Sequence, residues 1–152
     1  MPEDLDVQYL ERLVADPTTM FDVPARTVCS VRQVRTNTPL HALALLNDTT
    51  YVEAARNLSE RLLLDASATD DARIEKAFRL MTARRPNEAE RKILSASLAR
   101  LRRQYGADKE AATKLVAVGE KPRDAKLEPS EHAAWTALVS LVMNLDEAIT
   151  RE

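Results

Sequence analysis

The chain has 152 residues, of which 45% are hydrophobic and 30% are charged, and it contains only two glycines. This length suffices for one domain with a substantial core, and the scarcity of glycine and aromatic residues favours helices over sheets. The net charge of −2 argues against nucleic-acid binding, because proteins that bind nucleic acids usually carry an excess of basic residues.

The single cysteine, Cys29, excludes an internal disulfide and a zinc site built from several cysteines. A Cys-x-x-Cys-His motif for covalent haem attachment is also absent from the sequence. We therefore expect no cofactor in this chain.

The sequence contains no apolar run of the roughly 20 residues that a membrane helix needs, so we predict no membrane span. Residues 1–6 are acidic and lack the positively charged and apolar regions of a signal peptide. Taken by itself, the chain would be assigned to the cytoplasm.

The first quarter of the chain predicts one short helix followed by a long loop. Residues 5–14 carry apolar side chains at helical spacing. Residues 17–36 contain Pro17 and Pro24 and have no regular apolar pattern. They are the first of two long loops that we expect to be ordered.

Two helices are predicted next, separated by a break at residues 47–49. Pro39 suits the first position of a helix, and the apolar pattern extends over 40–46. The second helix has one apolar face, composed of Val52, Ala55, Leu58, Leu62 and Leu63. Its charged residues Glu53, Arg56 and Glu60 are expected on the opposite, solvent-facing side.

The third predicted helix begins at residues 69–71, and Asn87 with Glu90 has the spacing of a capping box at the start of the fourth. We expect this fourth helix to end at Gly106, and Asp108 to cap a short fifth helix. Within the fourth helix a basic cluster is expected on a solvated face; its members are Arg100, Arg102 and Arg103.

The second long loop covers residues 119–129, and Pro129 begins the most apolar helix, which contains Trp135. A helix that is apolar nearly all round belongs at the centre of a bundle. The sequence as a whole predicts an all-α fold, an irregular bundle of about six to seven helices with two long loops. We expect a single helical domain over residues 1–152.

Residues 35–48 read RTNTPLHALALLND. This segment resembles the signature RTNTPLQAL…LLND of a planctomycete family of unknown function. Cys29 and Arg32 also match the family, whereas His41 replaces the usual glutamine. Residues 119–124 resemble the family's GESPRD loop. Residues 135–147 resemble its closing AWT…NLDE signature, although Ala148 stands where an aromatic residue is usual. The resemblance covers residues 20–152.

The resemblance implies that the chain is the C-terminal fragment of a larger protein. Members of this family close large exported proteins, many of which carry cytochrome c-like haem domains upstream. The expected partners are therefore the upstream domains of the parent protein, the expected location is outside the cytoplasm or periplasmic, and any haem would belong to those upstream domains. The resemblance implies no particular reaction.

Three polar residues, Arg32, Arg35 and Asn37, precede the helix that starts at Pro39. Because helix N-termini attract anions and arginine can chelate a carboxylate, these residues are candidates for an anion site. The alternative, which we favour, is that they tie the long loop to acidic residues elsewhere, such as Asp146 or Glu147. In either case these five residues form our candidate binding site or domain interface.

The two histidines, His41 and His132, are far apart in sequence and lack the spacing of metal ligands, so we predict no metal site. Cys29 is expected to be an inert buried thiol, because neither histidine can be placed beside it as a base. No catalytic residues are assigned.

Three functional hypotheses remain open at this point. The first, which we favour, is a non-catalytic C-terminal module that packs against the rest of its parent protein and has no activity of its own. The second is a contribution of the candidate residues to an enzyme or anion site shared with upstream domains. The third is a helical adaptor that binds a peptide in a groove.

Overall fold

The computed structural model describes residues 39–66 and 68–149, and within them it contains seven helices and no strand. The helices are α1 (Pro39–Asn47), α2 (Thr49–Leu63), α3 (Asp70–Thr82), α4 (Glu88–Ala107), α5 (Lys109–Val116), α6 (Pro129–Met143) and α7 (Asp146–Ile149). The predicted all-α fold is confirmed. The predicted N-terminal helix at 5–14 and the first long loop lie outside the described residues.

Helix α6 lies at the centre of the bundle and packs against α2, α4 and α5. Trp135 is fully buried there, as expected for a helix that is apolar nearly all round. The main core joins α6 to α2, α3 and α4, and its buried members are Ala55, Leu58, Leu62, Ile74, Ala77, Leu98, Leu101, Ala134, Trp135, Leu138 and Val139. The predicted central position of this helix is confirmed.

Short polar side chains begin most of these helices by accepting a hydrogen bond from a free amide of the first turn. Asp48, Thr69 and Asp108 do so for α2, α3 and α5. Asn87 and Glu90 form the predicted capping box of α4. These caps connect residues two or three apart, so local sequence alone is enough to predict them.

The predicted end of α4 at Gly106 is wrong, because the helix continues to Ala107. Asp108 leaves the helical conformation (φ −118°, ψ 83°), and its side chain accepts a hydrogen bond from the amide of Ala111. One aspartate thus ends α4 and starts α5, so a left-handed glycine is not needed between the two helices. Gly106 occupies a helical position with no neighbouring atom near the place of a Cβ.

Gly119, in contrast, has a conformation that only glycine adopts readily. Its φ is +98°, and an added Cβ would lie 2.3 Å from the Cδ atom of Glu53. Gly119 therefore allows the chain after α5 to pass directly over α2.

The two glycines form a matched pair for a stability test. Gly106→Ala should raise the free energy of unfolding by roughly 0.4–1 kcal/mol, because alanine fits the helix and restricts the unfolded chain. Gly119→Ala should lower the free energy of unfolding by more than about 1 kcal/mol, because it combines a positive φ with a steric clash. Urea denaturation of both variants measures the two changes; equal effects at the two positions would contradict the assignment of their conformations.

Candidate functional site

The residues predicted from sequence as a binding site lie only partly in the described structure. Arg32, Arg35 and Asn37 fall outside the described residues, so their convergence with Asp146 and Glu147 stays a prediction. Cys29 and the side chain of His41 also lie outside the described part of the chain.

Glu147 is held by an arginine that the sequence analysis did not connect to it. Arg84 donates from Nε and Nη2 to the two carboxylate oxygens of Glu147, both at 2.7 Å. The same guanidinium group donates to both oxygens of Glu90, at 2.9 and 2.7 Å, and lies 4.9 Å from the ring centre of Phe78. Arg84 thereby ties α7 to the start of α4.

The pKa values of both carboxyl groups reflect this pairing. The Arg84 guanidinium, together with the amide of Asn87, lowers the pKa of Glu90 to about 2. Arg84 also lowers the pKa of Glu147. In this geometry both carboxylates serve to hold the end of the described chain in place.

Arg102 departs from the solvated face predicted for the basic cluster. It pairs with Asp70 at the start of α3 and with Glu131 in the first turn of α6. Glu131 also accepts a hydrogen bond of 2.9 Å from Nε1 of the buried Trp135. The pair with Arg102 lowers the pKa of Asp70. This network connects three helices at the edge of the core.

The main polar site is a set of three charged residues on α2, which we call the α2 clamp: Glu53, Arg56 and Glu60. Their spacing of three and four residues places them on one helix face. The prediction that this face is exposed to solvent is wrong, because only 1% of Arg56 and 6% of Glu60 is exposed. The reason is that the loop at 119–128 covers them.

Arg56 binds carbonyl groups on both sides of Gly119. Its Nη2 donates to the carbonyl of Lys121 at 2.5 Å, and its Nη1 makes a longer contact of 3.4 Å with the carbonyl of Val116. Nη2 also lies 3.3 Å from Oε1 of Glu53. Arg56 therefore fixes the path of the backbone as it leaves α5.

The two glutamates of the α2 clamp bind backbone amides of the same loop. Oε1 of Glu53 accepts from the amide of Lys121 at 2.8 Å. Oε2 of Glu60 accepts from the amide of Asp124 at 3.0 Å, and its Oε1 accepts from Nζ of Lys121 at 3.0 Å. The loop is thus held at two amides and one carbonyl by a single helix face.

These hydrogen bonds favour the ionised glutamates. The amides of Lys121 and Glu120 lower the pKa of Glu53. Burial by itself would raise the pKa of Glu60, but the amide of Asp124 and the ammonium of Lys121 outweigh burial, and the pKa is lowered. Both carboxylates consequently remain charged well below neutral pH.

Beneath the α2 clamp, His132 and two hydroxyl residues connect α2 to α6. His132 Nε2 lies 3.1 Å from the carbonyl of Arg56, and Ser59 Oγ lies 3.0 Å from Thr136 Oγ1. Ser59 Oγ is also 2.8 Å from the carbonyl of Arg56, and Thr136 Oγ1 is 2.8 Å from the carbonyl of His132. Arg56, Ser59, His132 and Thr136 are each at most 1% exposed.

This arrangement determines the tautomer of His132. A carbonyl oxygen can only accept, so Nε2 carries the hydrogen, and Nδ1 is a buried acceptor without a partner in the described part of the chain. The imidazole nitrogens therefore do not contact the hydroxyl of Ser59, and the geometry required for an activated nucleophile is missing here. The chemistry of this cluster is that of an enclosed structural network.

The described residues also contain no group of three His, Cys, Asp or Glu side chains arranged to hold a metal ion. No helix among them is long and apolar enough to cross a membrane.

The α2 clamp was missed because its sequence pattern is the same as that of an ordinary solvated helix face. The available signal was indirect: charged residues at helical spacing on α2, and a loop containing Gly119 far along the chain. Sequence alone does not connect the two features, because they are separated by more than 60 residues.

Arg56→Met should lower the free energy of unfolding by roughly 1.5–3 kcal/mol, because it removes charge-assisted hydrogen bonds to buried carbonyls. Arg61→Met is the matched control on the same helix, since Arg61 is exposed and should tolerate the change within about 0.5 kcal/mol. Urea denaturation measures both changes, and amide exchange at Lys121 and Asp124 should accelerate only in the Arg56 variant. Equal losses in the two variants would contradict the role of the α2 clamp.

The buried His132 should make the fold sensitive to mild acid. Burial lowers the pKa of His132 below its ordinary value of 6.5, and although the Arg56 carbonyl and the charge of Glu60 favour the protonated ring, the cationic Arg56 and Arg123 oppose it. The unfolded chain therefore binds the proton more tightly than the folded chain. Stability is complete above about pH 6.5 and falls as the pH drops towards the folded-state pKa, by at most about 1.4 kcal/mol per pH unit.

Denaturation of the native chain and of His132→Gln between pH 7.5 and 5 tests this prediction. The native chain should lose stability across this window, whereas the variant should show a flatter profile. The clamp glutamates contribute alike to both proteins, and their ordinary pKa of 4.5 in the unfolded chain lies below this pH range, so their effect on the comparison is small. A parallel loss of stability in both proteins would show that another group is responsible.

Comparison with known proteins places the chain in a family without assigning a reaction. None of the curated proteins and none of the solved structures matches it. A family model described as "PSD1: Protein of unknown function (DUF1553)" matches residues 7–98, more than half of the chain. The match includes α1, α2 and α3 and ends within α4, before the loop and the central helix that complete the polar site. The chain therefore belongs to the PSD1 family of proteins of unknown function, DUF1553.

Proposed function

We propose that this chain is a non-catalytic interaction module that packs against the other domains of a larger protein. The observation that carries the proposal is a set of exposed leucines on α1 and around the C-terminal end of α6. Leu43 and Leu46 of α1 are 57% and 42% exposed, and Leu141 and Leu145, at the end of α6 and just after it, are 39% and 36% exposed. We call these four residues the leucine strip.

The leucine strip belongs to two helical segments that lie side by side. Leu46 and Leu141 line the same cleft, and the side-chain amide of Asn144 donates to the carbonyl of Ala42 at 3.3 Å. Leu43 lies one turn before Leu46 in α1, and Leu145 lies in the short connection between α6 and α7. Single exposed leucines are common on protein surfaces, but a contiguous apolar group is typical of an interface.

The polar residues of the domain support the same proposal, because they bind one another. The α2 clamp holds a loop, Arg84 holds Glu90 and Glu147, and Arg102 holds Asp70 and Glu131. The hydrogen bonds and ion pairs named here are all made within the domain and stabilise its fold. Shared catalysis or anion binding through Glu147 would first have to displace Arg84.

The larger context of the proposal comes from the sequence resemblance. On this view the partners are upstream domains of the parent protein, which is exported and carries cytochrome c-like domains. Haem is bound by those domains and not by this chain. Nucleic acid is not a partner, in keeping with the slightly acidic composition.

Calorimetric titration of this chain with the segment that precedes it in its parent gene tests the proposal. Binding with a dissociation constant in the micromolar range or below is expected. Leu43→Asn should weaken it at least about tenfold, because burying one leucine contributes roughly 1.5–3 kcal/mol. Ile93→Asn is the matched control: Ile93 is 64% exposed on α4, outside the leucine strip, and its replacement should leave binding unchanged.

A cooperatively folded chain that does not bind the preceding segment would overturn the proposal. Equal weakening by Leu43→Asn and Ile93→Asn would also overturn it, because the leucine strip would then have no special part in binding.

A further inference from the structure

Between the two halves of the leucine strip, a cleft of about 250 Å³ enters the bundle. Its apolar wall includes Leu46, Leu101, Leu115 and Leu141, which come from α1, α4, α5 and α6. Val52 of α2 also lines the cleft, which therefore lies where five helices meet and opens within the surface proposed for docking.

The volume of the cleft limits what can occupy it. Cavities of roughly 150 Å³ already accept a benzene ring, whereas pockets for complete ligands and cofactors usually measure about 300–1,000 Å³. A cleft of about 250 Å³ therefore suits one or two apolar side chains of a partner better than a cofactor.

One charged residue lines the cleft in the described structure, and it is a cation, Arg100. Arg100 is exposed, and no carboxylate of the described residues forms an ion pair with it. Arg102, on the same helix, pairs with both Asp70 and Glu131. Three hydroxyl residues line the same cleft: Tyr105, Thr136 and Ser140. The Thr136 hydroxyl is bonded to the His132 carbonyl, whereas those of Tyr105 and Ser140 can donate hydrogen bonds to a ligand.

We propose that the cleft receives an apolar side chain of the docking partner that has a carboxylate beside it, and that this carboxylate pairs with Arg100. The partner surface is then acidic and amphipathic. This inference rests on the proposed docking function and adds the chemistry of the partner. The observation that decides it is charge complementarity, because an apolar cleft lined by an arginine without an acidic partner favours an anionic neighbour.

A small probe with both features, 3-phenylpropionate, tests the inference on the chain itself. It joins an aromatic ring to a carboxylate, and 3-phenylpropionamide is the uncharged control of nearly the same shape. Titration followed by amide chemical shifts should move the signals of Arg100, Tyr105 and Ser140. The carboxylate should bind roughly two- to fivefold more tightly than the amide, the range expected for one solvent-exposed ion pair.

Two variants test whether the preference for the carboxylate over the amide depends on Arg100. Arg100→Gln should abolish the preference for the carboxylate over the amide while the ring still binds. Arg103→Gln is the matched control, because Arg103 lies one turn further along α4, is exposed and does not line the cleft. It should leave the preference unchanged.

The inference is overturned if the probe does not bind, if the amide binds as well as the carboxylate, or if both arginine variants behave alike. A second copy of the chain is the competing occupant. A concentration-dependent dimer that blocks probe binding would overturn the inference in its favour. Failure of the probe alone leaves the docking function in place, whereas failure of the preceding segment to bind overturns the docking function itself.

Discussion

The described structure depends above all on the burial of one charged residue, Arg56. A guanidinium group removed from water must find acceptors, because an unpaired buried charge is strongly destabilising. Arg56 finds them in Glu53 and in backbone carbonyls on both sides of Gly119. One carbonyl is that of Val116, the last residue of α5, and the other is that of Lys121, in the segment that joins α5 to the central helix. The pairing of the two terminal nitrogens of Arg56 therefore also sets the direction in which the chain leaves α5 and reaches Pro129. Glu60 adds a second attachment by accepting a hydrogen bond from the amide of Asp124, so the loop is held against α2 at two points.

The interior polar contacts of the domain differ in kind from the groups that it exposes. Ser59, His132 and Thr136 continue the polar contacts inwards between α2 and α6. There the hydroxyls of Ser59 and Thr136 are bonded to each other, and all three side chains are bonded to backbone carbonyls. Polar groups used in this way add specificity to the packing of two helices and do not supply a reactive centre. The features directed outwards are apolar leucines and, beside a small cleft, Arg100, which forms no ion pair with any residue in the described ranges 39–66 and 68–149. This distribution is the basis of the proposal that the domain docks onto another protein surface.

Family membership and structure contribute different parts of this account. The family match covers the helices that carry the α2 clamp and the first half of the leucine strip, and it names no activity. The loop bound by the clamp, and the central helix with the second half of the strip, lie beyond the matched range. The surface proposed for docking therefore combines residues from these two parts of the chain. The acidic character proposed for the partner rests in the same way on residues from several helices that meet only in the folded domain.

The sequence by itself determined the all-α class, the positions of most helices, the capping box of Asn87 and Glu90 and the central place of the helix containing Trp135. These features depend on composition, on helical periodicity and on hydrogen bonds between residues a few positions apart, all of which are local. Only the tertiary structure decided that Arg56 and Glu60 are buried, that Arg84 binds Glu147, and that Arg102 forms ion pairs with Asp70 and Glu131. A charged residue on a helix face has the same sequence pattern whether water or a loop covers it. The two cases differ only in whether residues 119–128, which lie more than 60 positions further along the chain, pack over that face of α2.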